Sequence, residues 1–368
     1  MNRPVEHYEK IPGWPKLRER YLAFWRGEVP DGRIIAHIQN PNPNRPEPDP
    51  WMLNADESVY LDPARLLQLK RWRYTGWNWY SDLFDYCIPS YGPNVFAGFA
   101  GGQPGFGADT VWHEPVIKSL DESDRIHFDE DNYYWMRHLE AVEYLSEACA
   151  GVEQLGMSDF GGPADWIATL MPVETFLIET LEKPDRMREF ALRLARECNH
   201  AFDLVYTRIA RRNDGTANWM PVWSDRRMGT VQDDIAINFS PEMYAEVFLP
   251  ALDVMAAHTE HTVLHWHDGC SQHLDNLLRL PEIDLVQYGH DPNTPPFREQ
   301  VGAMRRIQEA GKKLFISCVE SEDVEFFIDH LDPHGLMMIV NTSDDAASRA
   351  MEIDVRKYTE KRLQAMSD

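Results

Sequence analysis

The sequence predicts an α/β protein built as a single (β/α)8 barrel, and three observations lead to this expectation. Short apolar runs that end in polar residues alternate with longer stretches of helical period. About eight such units fit into the chain, which favours a closed barrel over an open sheet. No break in composition marks a second domain. We therefore expect one domain over residues 1–368, with an N-terminal segment, residues 1–30, packed outside the barrel.

The first half of the chain yields one clear strand and several helices. The apolar run Arg33–Asn40 predicts a strand that leads into a loop rich in Pro and Asn. A helix is expected near residues 63–73. The run Asn94–Gly102 reads as a strand, although its glycines equally suit a loop. Longer helical patterns follow near Tyr133–Ala150 and over residues 172–212.

The second half is more regular and carries most of the fold prediction. Each of its apolar runs ends in a polar group and leads into a helix-like stretch, as at Ser240-Pro241, where a cap residue precedes a proline. Continuous apolar strands that alternate with helices predict a parallel sheet covered on both faces. The runs are Asn218–Asp225, Thr262–His267, Ile283–His290, Lys313–Cys318 and Leu336–Asn341.

Charge and composition exclude several classes of function. The formal net charge is −24, so the surface should repel nucleic acid and anionic membranes. The N-terminus lacks an apolar signal core, and no stretch of about 18 apolar residues occurs. Five cysteines without a CxxC pair favour a reducing cytoplasm. No phosphate-binding loop motif is present, so we expect no nucleotide cofactor.

The segment Val263–Cys270 gathers potential metal ligands where a strand is expected to end. His265 and His267 are two residues apart, and Cys270 follows three residues later. In a parallel α/β protein, side chains at the carboxyl ends of strands reach the ligand. A His-x-His pair with a nearby thiol can hold zinc, whereas two such histidines can also simply hydrogen-bond across the strand end.

Other predicted strand ends supply catalytic candidates for the same mouth. Asp225, His290 and Asp159 are the candidate acids and bases. Asp225 could bind metal, orient His267 or act as a general base. Its carboxylate could equally cap a helix or pair with Arg226.

A third metal ligand and the substrate-binding residues are sought on the same strand ends. Cys318 is the candidate ligand, although free cysteines also serve as inert core residues. Aromatic walls with amide partners suit a sugar, an aromatic methyl ether or a planar cofactor edge, and they are also ordinary core packing. The candidate substrate-binding residues are Trp219, Trp223, Gln287, Asn341 and Trp79.

The stretch Gly229–Pro250, followed by the His265 segment, resembles the uroporphyrinogen decarboxylase superfamily. The likeness extends from about Trp25 to Ala350 and includes Ala97–Gly101 and Asp109–Trp112. The superfamily includes zinc-dependent methyltransferases that work with cobalamin. Its members are single α/β barrels, so the resemblance implies the same fold as the periodicity.

The chain departs from the decarboxylase pattern of that superfamily. The arginine-bearing loop that holds substrate carboxylates is replaced by Ala36–Pro41, and the last strand ends in Val340–Ser343 without the usual histidine. Asp82 or Asp85 matches the essential aspartate. Decarboxylation of uroporphyrinogen itself is therefore not expected.

The methyltransferase pattern fits better, with substitutions. The resemblance implies that His265 is the first zinc ligand and that His267 replaces a cysteine. Asn341 stands where the pattern has a second cysteine, and Cys318 and Cys270 are the nearby thiols. A histidine-rich set is a harder site than one with two thiolates, so it suits oxygen ligands as well as sulfur.

These observations lead to one expected function and two alternatives. We expect a zinc-dependent enzyme that transfers a methyl group from a small methylated substrate to a thiol or to a corrinoid carried by a partner protein. The first alternative is a metal-free decarboxylase or lyase that uses Asp225 with the histidines. The second is a catalytically silent barrel that binds a small ligand. A homodimer is compatible with each of them.

Overall fold

The computed structural model describes residues 13–368, and strands of this range cluster in four sheets. The N-terminal residues in which we sought a signal sequence lie outside the described range. The described strands are β1 (Ile35–Pro41), β2 (Trp77–Ser81), β3 (Tyr86–Cys87), β4 (Gln103–Phe106), β5 (Val111–Glu114), β6 (Gln154–Leu155), β7 (Thr216–Ala217), β8 (Trp223–Ser224), β9 (Met228–Val231), β10 (His261–His267), β11 (Leu285–Gly289), β12 (Lys313–Glu320) and β13 (Leu336–Asn341).

Helices surround these strands and include the patterns predicted near residues 63–73, 133–150 and 172–212. No helix in the described range is long and apolar enough to cross a membrane. The α-helices are α1 (Trp14–Trp25), α2 (Pro50–Leu53), α3 (Glu57–Tyr60), α4 (Pro63–Tyr74), α5 (Val95–Phe99), α6 (Tyr133–Cys149), α7 (Pro163–Leu170), α8 (Val173–Glu182), α9 (Pro184–Ile209), α10 (Pro241–Val247), α11 (Leu249–Ala256), α12 (Leu274–Leu278), α13 (Val301–Glu309), α14 (Val324–His330) and α15 (Asp345–Ser367).

The largest sheet has seven strands in the order β2-β1-β13-β12-β11-β10-β9. All neighbours are parallel except β1 and β2. Strands β9 to β13 follow one another in both sequence and space, and the last strand lies beside the first. The mixed α/β class with a mostly parallel sheet is therefore confirmed.

A second parallel run lies next to this sheet. Strand β3 pairs with β6, and Gly156, just after β6, bridges to Ala217 of β7. Within the described residues, no ladder joins β1 to β3 or β7 to β9. A closed eight-stranded barrel is thus not shown by the hydrogen bonds.

The glycine-rich run Asn94–Gly102 is not a strand. It forms the short helix α5, which Gly102 ends by donating its N–H to the Ala97 carbonyl (2.8 Å). A side chain at Gly102 would place its Cβ 2.6 Å from that oxygen. The glycines therefore stop a helix, as C-terminal caps commonly do.

The predicted strand Asn218–Asp225 is also wrong in part. The chain turns back after Asn218, whose side-chain oxygen accepts the N–H groups of Met220 (3.1 Å) and Val222 (3.0 Å), so that β7 and β8 form an antiparallel pair. Strand β9 then resumes the parallel direction beside β10. Residues after β8 consequently lie at the strand beginnings and not at the strand ends.

The N-terminal helix α1 packs against the strand beginnings. Its residues Trp14, Tyr21, Phe24 and Trp25 form one buried cluster with side chains of the sheet that include Ile35, Phe315, Leu285, Val263 and Met228. The Trp25 indole donates to the Trp223 carbonyl (2.7 Å). This aromatic cluster fills the amino-terminal edge of the sheet.

A buried ion cluster joins helix α1 to β1. Asp82 accepts hydrogen bonds from Arg20 Nε (2.6 Å), from Arg33 Nη2 (2.9 Å) and from the Ala36 N–H (3.0 Å). Both Asp82 and Arg20 are almost fully buried. Asp82 is therefore held in a structural contact, because its carboxylate oxygens are occupied by these donors.

We predict that Asp82→Ala lowers the free energy of unfolding by about 3–5 kcal/mol, because it leaves Arg20 as an uncompensated buried charge. Denaturant unfolding followed by circular dichroism measures the change. Glu28→Ala is the matched control, since it removes an ion pair with Arg26 that is exposed. Equal, small effects of the two substitutions would contradict the structural role of Asp82.

Candidate metal centre

Two histidines of β10 converge at the carboxyl-terminal edge of the large sheet. His265 and His267 are separated by one residue, so both side chains point to the same face of the strand. Their Nε2 atoms are 3.1 Å apart. The predicted pairing of these side chains at a strand end is thus present in the structure.

The far side of each imidazole ring is fixed by a hydrogen-bond acceptor. His267 Nδ1–H donates to Asp291 Oδ1 (2.7 Å), and His265 Nδ1–H donates to Gln287 Oε1. The Gln287 amide nitrogen donates to Ser317 Oγ (2.8 Å), which turns its oxygen towards His265. With both Nδ1 atoms protonated, each neutral ring presents an Nε2 lone pair.

When neither Nε2 atom carries a proton, two lone pairs face each other across 3.1 Å, and a bound cation would stabilise that arrangement. Asp234 completes the group: one ligand atom from each of Asp234, His265 and His267 lies within 4.8 Å of the other two. Zinc–nitrogen bonds of about 2.05 Å at tetrahedral angles place two nitrogens roughly 3.3 Å apart. The 3.1 Å between the two histidine nitrogens is close to that value, and Asp234 lies near enough to offer a third ligand atom.

Burial lowers the pKa of His265, an effect that Asp234 partly opposes. His265 is consequently neutral near pH 7, which is the form that binds metals. Exposed Asp234 provides the negative charge next to it. These three side chains thus offer two imidazole nitrogens and one carboxylate as possible ligands.

A further layer of hydrogen bonds holds Asp291 in place. Asp291 Oδ2 accepts the Gly269 N–H (3.2 Å), and the Asp291 N–H donates to Asp268 Oδ1 (2.9 Å). A Cβ on Gly269 would approach Asp291 Oδ2 to 2.5 Å, so only glycine leaves room. Asp268 also binds His290 Nδ1 (2.6 Å) through its other oxygen. His290, a catalytic candidate, is thus hydrogen-bonded to Asp268, which also holds Asp291, the partner of His267.

Three carboxyl groups lie behind Asp234, of which Asp165 and Asp233 are buried and Asp159 is half-buried. Burial raises the pKa of Asp159 to about 8 and that of Asp165 to about 7, and it raises the pKa of Asp233 well above its usual range. Asp165 accepts the N–H groups of Asp234 (3.1 Å) and Ile235 (2.9 Å). Asp159, a catalytic candidate, belongs to this group, since its electrostatic neighbours are Asp234 and Asp165.

Two predicted substrate-binding residues adjoin the histidines. Trp219 packs edge to face against His265, with ring centroids 4.9 Å apart. Its indole nitrogen is buried and has no hydrogen-bond partner in the described range. Gln287 is buried and orients His265 as described above, so it acts on the ring and is not free to bind substrate.

The other predicted residues at this edge lie on neighbouring strands. Asn341 bonds with Gln39 (2.8 Å) and Glu320 (3.1 Å), while Trp79 of β2 stacks on Tyr74. Cys318 occupies a bulge of β12 with a φ of 58° and is exposed. In residues 13–368, the candidate metal group does not include it.

Cys270 does not belong to that group either. Its thiol is buried and points to the Asp234 carbonyl (3.7 Å). Burial raises the pKa of Cys270 to about 12, so it stays a thiol at neutral pH. Cys270 is therefore a packing neighbour of the histidines.

The structure places Asp225 and Trp223 at the opposite edge of the sheet. Asp225 follows the antiparallel strand β8 and acts electrostatically on His261, the first residue of β10. Trp223 is fully buried against Trp14 and Tyr21. Their expected position at the mouth is wrong because the chain reverses after Asn218. The lyase alternative thereby loses the acid on which it depended.

Sequence reasoning missed Asp234 and Asp291. Asp234 follows β9, a four-residue strand that contains a glycine and gave no apolar run. Asp291 directly follows the run that ends in His290, so its position after a predicted strand was the available signal.

Comparison with known proteins supplies a structural likeness over nearly the full length of the chain. No protein-family model and no curated protein sequence matches the chain. A solved methyltransferase from Methanosarcina mazei superposes with a TM-score of 0.58 and 12% sequence identity. The match covers 93% of this chain and 98% of the other. At this identity the likeness shows a shared fold.

We predict that the His265 ring of metal-free protein is neutral, with the proton on Nδ1, at pH 6.5. An ordinary histidine would be about half protonated at that pH. Ring nitrogen chemical shifts in NMR spectra measure both the tautomer and the titration. Asp234→Asn should lower the pKa of His265 further, because the carboxylate stabilises the imidazolium. A His265 midpoint at or above pH 6.5 would contradict the geometry.

Proposed function

We propose that this protein is a zinc-dependent methyltransferase of the uroporphyrinogen decarboxylase superfamily. It would move a methyl group from a small methylated substrate to a thiol or to a corrinoid carried by a partner protein. The observation that carries the proposal is the 3.1 Å approach of the His265 and His267 Nε2 atoms beside Asp234. Neither alternative function requires such an arrangement.

The ligand types favour zinc with one open coordination position. Two imidazoles and one carboxylate are a common three-ligand set of catalytic zinc sites, which leave a fourth position for substrate or water. Bound zinc would act as a Lewis acid on an oxygen or sulfur atom of the substrate or acceptor. A histidine-rich set also tolerates the neutral or oxygen-bearing substrates that the sequence pattern suggested.

The surrounding residues would orient and enclose the reactants. Asp291 and Gln287 hold the two rings so that both Nε2 atoms face the same point. Trp219 forms an apolar wall against His265. These roles assign substrate binding to the side of His265 that faces Trp219.

The fold supports the proposal in a general way. We infer that the seven-stranded sheet and the run β3-β6-β7 are arcs of one (β/α)8 barrel, because β13 lies beside β1 and the strands of both arcs are parallel apart from the edge strand β2. The likeness to a methyltransferase over 93% of the chain agrees with this arrangement. In such barrels catalysis takes place at the carboxyl ends of the strands.

We predict about one zinc ion per chain in protein purified without a histidine tag, measured by elemental analysis. The double variant His265→Ala, His267→Ala should lose it. Asp291→Asn should weaken zinc binding by about 10–100-fold, because it removes the outer partner of His267. Competition with a fluorescent chelator measures that affinity.

Asp332→Asn is the matched control for Asp291→Asn. Asp332 also pairs with a histidine nitrogen, His334 Nδ1 (2.7 Å), but on the exposed surface. The control should leave zinc binding unchanged. A correctly folded protein that takes up no zinc, or equal effects of the two variants, would remove the metal proposal.

We predict that zinc-loaded protein forms methylcobalamin from reduced cobalamin and at least one member of a panel of methyl ethers, methyl thioethers and methylamines. Visible absorbance follows the reaction. Asp234→Asn should slow it by about 100-fold, since Lewis-acid stabilisation is worth several kcal/mol.

The same assay separates the alternatives. Binding of a panel compound without methyl transfer, at full zinc occupancy, would favour the silent binding barrel. Carbon dioxide release from a carboxylated compound by metal-free protein would favour a lyase. Either outcome would overturn the proposal of methyl transfer. Neither would change the conclusion drawn from the zinc measurement.

A further inference from the structure

A cleft of about 200 Å³ lies beside helix α4, where strands β3 and β6 begin. Asp85 directly precedes β3 and Glu153 directly precedes β6, so both residues stand at the strand beginnings, away from the candidate metal centre. We call it the tyrosine cleft, and its lining residues are Arg71, Tyr74, Asp85, Tyr86, Val152 and Glu153.

Two tyrosine rings form walls of the tyrosine cleft. Tyr74 and Tyr86 meet at an interplanar angle of 85°, with ring centroids 5.8 Å apart. Both residues are half-buried, so part of their surface is open to a ligand. The face of an aromatic ring carries a negative electrostatic potential and attracts organic cations. The walls therefore favour a positively charged ligand over an anion.

Asp85 supplies a negative charge next to these rings. It is exposed, and its Oδ1 accepts a hydrogen bond from the Tyr74 hydroxyl (3.3 Å), which places the carboxylate at the edge of the cleft. The arginine of the lining, Arg71, donates through Nε to Glu153 Oε1 (2.8 Å), so these two charges offset each other. The Asp85 carboxylate is thus the excess charge among the described lining residues.

Apolar surface continues from the tyrosine cleft into a neighbouring cleft of about 210 Å³. The two clefts share Asp85, Val152 and Glu153. Val152 is exposed, and half-buried Leu17 and Leu83 line the neighbouring cleft, which has no basic residue in its described lining. An apolar group on the ligand would cover these side chains, and removing their surface from water would stabilise the complex.

A metal ion or water alone does not fit these walls. The described side chains that could together hold a metal ion do not include Asp85 or Glu153, and rings and aliphatic groups offer a hard cation no ligand atom. Water would satisfy the carboxylate but would leave the apolar surface uncovered. A ligand with both a cationic and an apolar part complements every wall of the cleft.

We propose that the tyrosine cleft binds a small organic ammonium ion that carries an apolar substituent. The ammonium group would donate a hydrogen bond to the Asp85 carboxylate and lie against the rings of Tyr74 and Tyr86. The substituent would cover Val152 and extend into the neighbouring cleft. The site is independent of the proposed function, because none of the residues that line either cleft belongs to the candidate metal centre.

Phenethylammonium is the probe and 2-phenylethanol its neutral analogue, and calorimetric titration with ligand-observed NMR measures their binding to the full chain. Phenethylammonium should bind saturably at millimolar concentration and about 5–10-fold more tightly than the alcohol, because a hydrogen-bonded charge pair that solvent partly screens is formed. Asp85→Asn should weaken its binding by the same factor. The asparagine keeps an acceptor for the Tyr74 hydroxyl, so the substitution removes the charge and retains the hydrogen bond.

Asp49→Asn is the matched control. Asp49 is also exposed and also accepts a hydrogen bond from an aromatic side chain, the Trp51 indole (3.3 Å), but it lines neither cleft. This variant should bind phenethylammonium like the original chain. The variant His265→Ala, His267→Ala should also bind normally, which would separate this site from the candidate metal centre.

Three results would overturn the proposal. They are the absence of saturable binding of phenethylammonium at millimolar concentration, equal affinity for 2-phenylethanol, and equal effects of Asp85→Asn and Asp49→Asn. Since Asp85 is exposed, its replacement should leave the unfolding curve nearly unchanged. That curve verifies that a loss of binding is not a loss of structure.

Discussion

The register between β10 and β11 is the constraint on which the candidate metal centre depends. It sets His265 opposite Gln287 and His267 opposite Gly289. Gln287 can then reach the ring of His265 and accept its Nδ1–H. A slip by one residue would turn both histidines into the helical layer. The pairing of β10 with β11 thus determines where the Nε2 atoms of His265 and His267 come together.

Asp234 reaches the histidines from a loop, and hydrogen bonds to buried carboxyl groups hold this loop in place. Asp165 binds the N–H groups that begin this loop, while Asp233 binds the Ala164 N–H (2.8 Å) and the Tyr244 hydroxyl (2.9 Å). Gly162 permits the close approach, because a Cβ there would lie 1.4 Å from the Gln232 carbonyl oxygen. Burying these groups is costly, and their raised pKa values reflect that cost. This free-energy cost arises next to the proposed metal site, and functional sites are where such unfavourable local arrangements are expected.

Sequence patterns predicted the features that repeat and failed where the chain turns locally. The apolar runs at Thr262–His267 and Lys313–Cys318 are strands because both faces of a parallel sheet are buried. The turn after Asn218 has no periodic signature, so one predicted strand became an antiparallel pair and took Asp225 to the wrong edge. Asp234 was assigned to a solvated turn and to no site, for the related reason that β9 is too short to show a period.

The amino-terminal and carboxyl-terminal edges of the sheet differ in chemistry because different side chains fill them. Apolar side chains such as Ile35, Phe315 and Val263 join the aromatic residues of α1 at the amino-terminal edge, so that end is filled. His37 lies above them, fully buried, and its Nε2 bonds the Tyr21 hydroxyl (2.7 Å). Burial lowers the pKa of His37 to about 4, so its imidazole is uncharged at neutral pH. Within the described residues, the side chains that could together hold a metal ion are Asp234, His265 and His267, so the donors for a cation converge at the carboxyl-terminal edge, where ligands reach a parallel sheet.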